Sequence, residues 1–210
     1  MKLYDYLDSG NGYKVRLTLA HLGLACEWTE CDILHGATRT PEFLARNPNG
    51  RIPLLELDDG TCLAESNAII WYLAEGSPLV PYERLARAQV LQWMFFEQYS
   101  HEPYVATPRY IVKHLPVGSP RRAELPDRLE RGRAAFTVME RHLTTRRFFV
   151  GERYTIADIS LYAYSHVAHE GGHDLAPFPH VRAWLDRVAD QPGHRPLTSR
   201  PVGKAPPATR

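Results

Sequence analysis

The period of the apolar positions changes along the chain. Up to about residue 76, short apolar runs alternate with short helical patterns; beyond it the spacing is almost wholly helical. Leu3 to Leu7 predicts a strand with Leu3 and Asp5 on one face and Tyr4 and Tyr6 on the other. Ser9-Gly10-Asn11-Gly12 predicts a turn. From Tyr13 a helix follows, with Val15, Leu19 and Leu22 at helical spacing and Gly23 suited to the left-handed residue that ends it. Cys26 to Ile33 predicts a second strand. Thr40 and Pro41 read as an N-cap and first helical residue of a short helix that stops at Asn47-Pro48-Asn49-Gly50. Ile52 to Leu57 is a third strand with proline as its second residue, and Asp58-Asp59-Gly60 turns into a fourth, Thr61 to Ala64. Ser66 is expected to cap a helix that buries Ala68, Ile69, Tyr72 and Leu73 and closes at Gly76. A crossover, a hairpin and a covering helix give a four-stranded mixed sheet with helices on both faces.

Residues 77–84 read as a linker, and 85–197 as an all-α domain. A long helix is expected over Tyr82 to Ser100, with Pro103 and Pro108 kinking or breaking the helical run beyond it. Leu115 to Pro126 reads as a loop and Asp127 to Leu143 as a helix. After a bend at Phe148-Phe149-Val150-Gly151, Thr155-Ile156-Ala157-Asp158 has the form of a capping box. A last helix covers Pro179 to Ala189. Residues 198–210, rich in Pro, Gly and Arg, read as a disordered tail.

Composition removes some classes of function. The formal net charge of +1 speaks against nucleic acid as partner, because phosphate binding needs a dominant basic field. No apolar run approaches membrane-spanning length, and the N-terminus lacks a signal-peptide pattern, so a cytoplasmic protein without a membrane partner is expected. Three cysteines, Cys26, Cys31 and Cys62, without CxxC spacing make neither a disulfide framework nor a zinc site; on strand patterns they read as small core residues. His166, His169 and His173 are spaced suggestively, but Gly171-Gly172 interrupts the helix before the third, and no metal is expected.

Three places carry candidate chemistry. At the first turn, the amides of a helix N-terminus favour an anion, and Ser9 and Asn11 add donors beside them, a set that would stabilise a thiolate; alone, the turn reads more simply as a cap. At Ile52-Pro53, a proline that cannot donate to the ladder is resolved either by an edge position or by a cis bond that turns the Ile52 backbone toward an extended ligand. At Glu65-Ser66, a helix cap beside an acid suits the carboxylate and ammonium of an amino acid, or is simply a cap with a favourable neighbour.

In this order, the segments Ser9-Gly-Asn-Gly-Tyr-Lys14, Thr40-Pro-Glu-Phe-Leu44, Asn47-Pro-Asn-Gly-Arg-Ile-Pro-Leu54 and Glu65-Ser-Asn-Ala-Ile69 resemble the N-terminal domain of cytosolic glutathione transferases, in particular serine-type, theta- or nu-like bacterial members. Phe148 to Asp158 carries the likeness into the helical part, so that it covers the chain to about Leu197. The resemblance implies a thioredoxin-like α/β domain (β-α-β-α-β-β-α) followed by an all-α domain. It implies glutathione as co-substrate, a small electrophile as second substrate, a role in detoxification, and a homodimer built through the first helices of the second domain. Ser9 matches the serine that hydrogen-bonds the glutathione sulfur, with Asn11 beside it. Ile52, before Pro53, matches the residue whose backbone pairs with the cysteinyl unit. Glu65 and Ser66 match the γ-glutamyl site, and Arg51 with Thr38 or Arg39 the glycyl carboxylate site. The turn lacks the tyrosine of other classes and the cysteine of omega- and beta-like ones, which disfavours thiol exchange through an enzyme cysteine.

The electrophile pocket is expected between the Ser9 turn and the first helices of the second domain, with His101, Tyr104 and Arg109 as candidate lining among Phe96, Tyr99 and Tyr110. Two alternatives stay open: glutathione-dependent disulfide reduction, peroxide reduction or a related reaction, and a binding module of the same fold without turnover.

Overall fold

The computed structural model describes residues 1–203; the rest of the expected tail lies outside the described residues. The chain divides into two compact units, one formed by Met1–Glu75 with residues 192–203, the other by Gly76–Gln191.

In the first unit β1 (Lys2–Asp5), β2 (Glu27–Glu30), β3 (Leu54–Glu56) and β4 (Cys62–Ala64) form one sheet in the order β2-β1-β3-β4. β2 runs parallel to β1, β3 antiparallel to β1, and β4 antiparallel to β3. The strands are shorter than the apolar runs suggest. β3 begins only after Pro53, which has no N–H to give the ladder, and the Ile52–Pro53 bond is cis. Tyr4 pairs with Leu54 and packs with Cys31 and with Phe43 from α2 (Pro41–Arg46). Leu3 and Leu55 pair on the opposite face, where α1 (Gly10–Leu22) and α3 (Ser66–Ala74) lie against each other. Leu3, Leu54, Leu55, Ile69 and Ile70 are fully buried in this layering, the apolar area that supplies the main drive to fold.

α1 starts three residues earlier than its apolar spacing indicates, because Ser9 accepts from Gly12 N and opens the helix before the first apolar residue. It ends as expected on Gly23 at φ 63°, with Leu24 N donating to Leu19 O. Residues 198–203, the described part of the expected tail, hydrogen-bond to the first unit. Ser199 O accepts from Arg16, and Val202 O accepts from Cys26 N, so this stretch straps the first unit.

The second unit is helical: α4 (Arg84–Phe96), α5 (Glu102–His114), α6 (Leu125–Leu143), α7 (Ile156–Ser165) and α8 (Pro179–Ala189). Neither Pro103 nor Pro108 breaks the chain. A π-helical turn, Glu97–His101, joins α4 to α5, Pro103 falls in the first turn of α5 where its missing N–H costs nothing, and Pro108 is carried inside the helix. α6 begins at Leu125 rather than Asp127, since Pro126 takes the first turn instead of ending the loop. The capping box at Thr155 is formed with both reciprocal bonds. Trp184, Phe149 and Phe136 are the largest fully buried side chains here. Among the described residues no helix is long and apolar enough to cross a membrane.

Candidate functional site

The Ser9 turn sits where β1 hands over to α1. Ser9 is the N-cap, extended at φ −77°, ψ 125°, and its Oγ accepts from Gly12 N at 3.2 Å. α1 has no acid in its first turn, so the partial positive charge of its leading amides is not met from within the helix. Gly12 is required by packing: a Cβ there would collide with the Asp5 carboxylate. Asp5 is fully buried and bonded to Tyr6 N and to Arg16. Burial pushes its carboxyl up to about 6, against the opposing pull of the Arg16 guanidinium.

α3 begins beside it. Glu65, not Ser66, is the N-cap residue, and it makes no side-chain cap bond. Glu65 stands at φ 67°, a left-handed conformation rare outside glycine that costs roughly 1–3 kcal/mol and concentrates at functional sites. Ser66 is therefore the first helical residue. Its hydroxyl donates to Asn11 Oδ1 at 3.2 Å, and the Lys14 ammonium lies 3.5 Å from the Ser66 Oγ. Lys14 is completely buried. Asn11, Lys14 and Ser66 thus join the N-terminal turns of α1 and α3 into one polar cluster. The sequence pattern did not single out Lys14 and Arg16. Both lie in a helix buried on nearly every side, so no polar face sets them apart.

The other expected ligand residues form a second group. Thr38 is buried; Arg39 and Arg51 are exposed. Arg39 donates to Asn49 O at 3.3 Å, and Asn47 Nδ2 donates to Arg51 O at 2.8 Å, which fixes the loop leading into Ile52 and cis Pro53.

Two of the three electrophile candidates lie in the interior of the helical unit. His101 is fully buried, 2.9 Å from Ser165 Oγ, with its ring edge-on to Phe136. Arg109 is buried and paired with Glu170 at 2.7 Å. Both are interior struts of the helical unit, His101 where the π-helical turn meets α6 and α7, Arg109 where α5 meets α6, α7 and the Ala168–Gly171 turn. Tyr104 is half-buried, capped by the Arg131 guanidinium at 5.5 Å, and its carbonyl accepts from His173. Among the described residues no group of three or more His, Cys, Asp or Glu is placed to hold a metal. Burial, with Asp5 and Glu30 nearby, pushes the Cys31 thiol up to about 11, and burial also raises Cys62. Neither is poised as a nucleophile.

Comparison with known proteins places this geometry. The family model for the glutathione S-transferase N-terminal domain matches residues 1–75, and that for the C-terminal domain matches residues 93–192. A crystal structure of a glutathione S-transferase from Pseudomonas fluorescens Pf-5 is 54% identical, with a TM-score of 0.91 over 94% of this chain and 98% of that one. A possible glutathione S-transferase from Rhodopseudomonas palustris is 50% identical, with a TM-score of 0.92 over 98% and 93% of the two chains. Ure2p6 from Phanerochaete chrysosporium, crystallised with oxidized glutathione, is 27% identical with a TM-score of 0.82 over 91% of each chain. Glutathione S-transferase 3 of Zea mays is 32% identical over 91% of this chain and 90% of its own length. The chain spans 65% of protein URE2 from Eremothecium gossypii and 45% of elongation factor 1-gamma-A from Xenopus laevis, each 31% identical.

Proposed function

Because the chain belongs to the glutathione S-transferase family, we propose that it is a transferase that binds reduced glutathione and activates its thiol at the N-terminus of α1. The observation that carries the reading is the cluster joining Ser9's helix to Ser66's: two helices without an acid in the first turn, linked by Asn11 and backed by the buried Lys14 charge. Amides, a hydroxyl and a fixed positive charge all favour anions, and the ligand offers two, a carboxylate and an incipient thiolate.

In this reading Ser66 and Glu65 hold the γ-glutamyl carboxylate and ammonium, the Ile52 backbone pairs with the cysteinyl unit, and Arg51 with Thr38 or Arg39 faces the glycyl carboxylate. Ser9, with Asn11, directs a hydroxyl to the sulfur. The thiol proton passes to solvent, the thiolate forms a C–S bond with a small electrophile, and the leaving group departs with its electron pair. A lowered thiol pKa and positioning supply the rate. The protein works in the cytoplasm as a homodimer, joined through α4 and α5.

The test is the titration of the bound thiol. Wild type should bind glutathione in a calorimeter and shift its thiolate absorbance to lower pH; Ser9→Ala should bind it and shift it less. No detectable binding would sink the reading. Two other readings compete. Binding without conjugation of an aryl halide would favour a module without turnover, a reading supported by the family tie to elongation factor 1-gamma. Peroxide or disulfide turnover instead of conjugation would favour a reductase that works through glutathione's own sulfur, since Cys31 is held far from thiolate formation.

A further inference from the structure

Arg16 stands at the junction of three chain segments. Its guanidinium has five N–H groups, and each has an acceptor. Nε donates to Asp5 Oδ2 at 2.8 Å, at the end of β1. Nη2 donates to Leu7 O at 2.7 Å and to Ser9 O at 3.4 Å, the two carbonyls that bracket the turn. Nη1 donates to Leu197 O and to Ser199 O, the latter at 2.8 Å, on the C-terminal strap. The side chain is 2% exposed. One planar fork therefore holds the Ser9 carbonyl on one side and the strap on the other.

The strap has its own fastenings. Tyr13 OH donates to Arg195 O at 2.5 Å and lies 3.2 Å from His194 Nε2; the His21 ring meets Pro192 O at 2.9 Å; Cys26 N donates to Val202 O at 3.0 Å. Between these points a cavity of about 490 Å³ separates it from Leu17, Ala20 and Leu24 of the α1 region. Leu197 is buried and the Arg200 guanidinium lies over the Trp28 ring, so the strap is held by packing as well as by these hydrogen bonds.

We infer that the C-terminal strap, acting through Arg16, is a positioning element for Ser9. It fixes the guanidinium from behind, and the guanidinium fixes the backbone of the cap whose hydroxyl meets the sulfur. The inference rests on the proposed role of Ser9. It predicts that loosening the strap impairs thiol activation more than glutathione binding, since among the described residues Ser66 bonds Asn11 and Lys14 and not the strap.

The experiment uses full-length Tyr13→Phe and Arg16→Lys, a chain ending at Gln191, and Ser9→Ala alongside. Thermal unfolding checks that each is folded. The readouts are the pKa of the bound thiol, kcat, and the calorimetric Kd for glutathione. Tyr13→Phe and the shortened chain should raise the thiol pKa by about half a unit and lower kcat about fivefold, with Kd within about threefold. Arg16→Lys keeps the charge but not the fork, and should do more in the same direction. If Ser9→Ala raises the thiol pKa while every folded strap variant titrates like wild type, the strap has no such role. A Kd that weakens in step with kcat overturns it too, for that is general loosening. If Ser9→Ala itself leaves the thiol unmoved, the underlying reading of Ser9 fails instead. Should the shortened chain not fold, the two point variants decide.

Discussion

At the N-terminus of α7, Thr155 and Asp158 are sealed into the core; at the N-terminus of α1, Ser9 is half-buried. Both helices open with a hydroxyl accepting from a backbone amide, from Ala157 in one and Gly12 in the other. In α7 the third helical residue is an acid. Asp158 accepts from Phe149 N, Trp184 Nε1, Thr155 N and Thr155 Oγ1 at 2.9–3.1 Å. Its charge meets the helix dipole from inside the helix, and nothing remains for a ligand. In α1 no acid follows, and among the described residues Ser9 Oγ has Gly12 N as its one partner. Its O–H is not taken up by the helix. The same capping chemistry therefore builds a structural joint when the helix supplies its own anion, and an anion site when it does not.

Breaking the closed cap should have the largest effect. Asp158→Ala leaves four buried donors without their acceptor and should cost about 3–5 kcal/mol, read by chemical denaturation, or prevent folding. A cost near that of a surface residue would erase the distinction between the two caps. Ser9→Ala should do the converse, lowering conjugation roughly 10- to 100-fold while costing about 1 kcal/mol of stability. Ser66→Ala should raise KM for glutathione about tenfold with a smaller change in kcat, because it removes binding common to ground and transition states.

The smallest effect is pH-dependent and sharpens the comparison. Burial raises the Asp158 carboxyl from 3.8 to about 6. The folded protein takes up this proton more readily than the unfolded chain. The resulting stability is full below about 4 and lost as pH rises through about 6. Relative to Asp158→Asn, which cannot titrate, wild type should therefore gain about 1 kcal/mol between pH 7 and pH 5, measured by denaturation at each pH. A difference independent of pH would mean that the four donors outweigh burial.

Much of the fold was legible because it rests on local signals. The Gly23 stop, the Thr40-Pro41 start, the capping box and the Pro179–Ala189 helix each depend on residues adjacent in sequence. Elements were misjudged where distant packing overrides local preference. Pro103 and Pro108 sit in one continued helical path because the π-helical turn absorbs the mismatch, and neighbouring helices cover it. His101 and Arg109 were expected at the electrophile pocket from their place in the chain; their partners in the interior, Ser165 and Glu170, lie more than sixty residues away.

The sequence by itself determined the alternation of strand and helix, the turns, and which residues carry hydroxyls, amides and charges near helix starts, since these arise from short-range sterics and periodicity. Only the tertiary structure decided that Ser66 bonds Asn11, that Lys14 is buried beneath them, and that the C-terminal stretch returns to grip Arg16. Such pairings depend on which segments the core brings together, and that is a property of the whole packed chain.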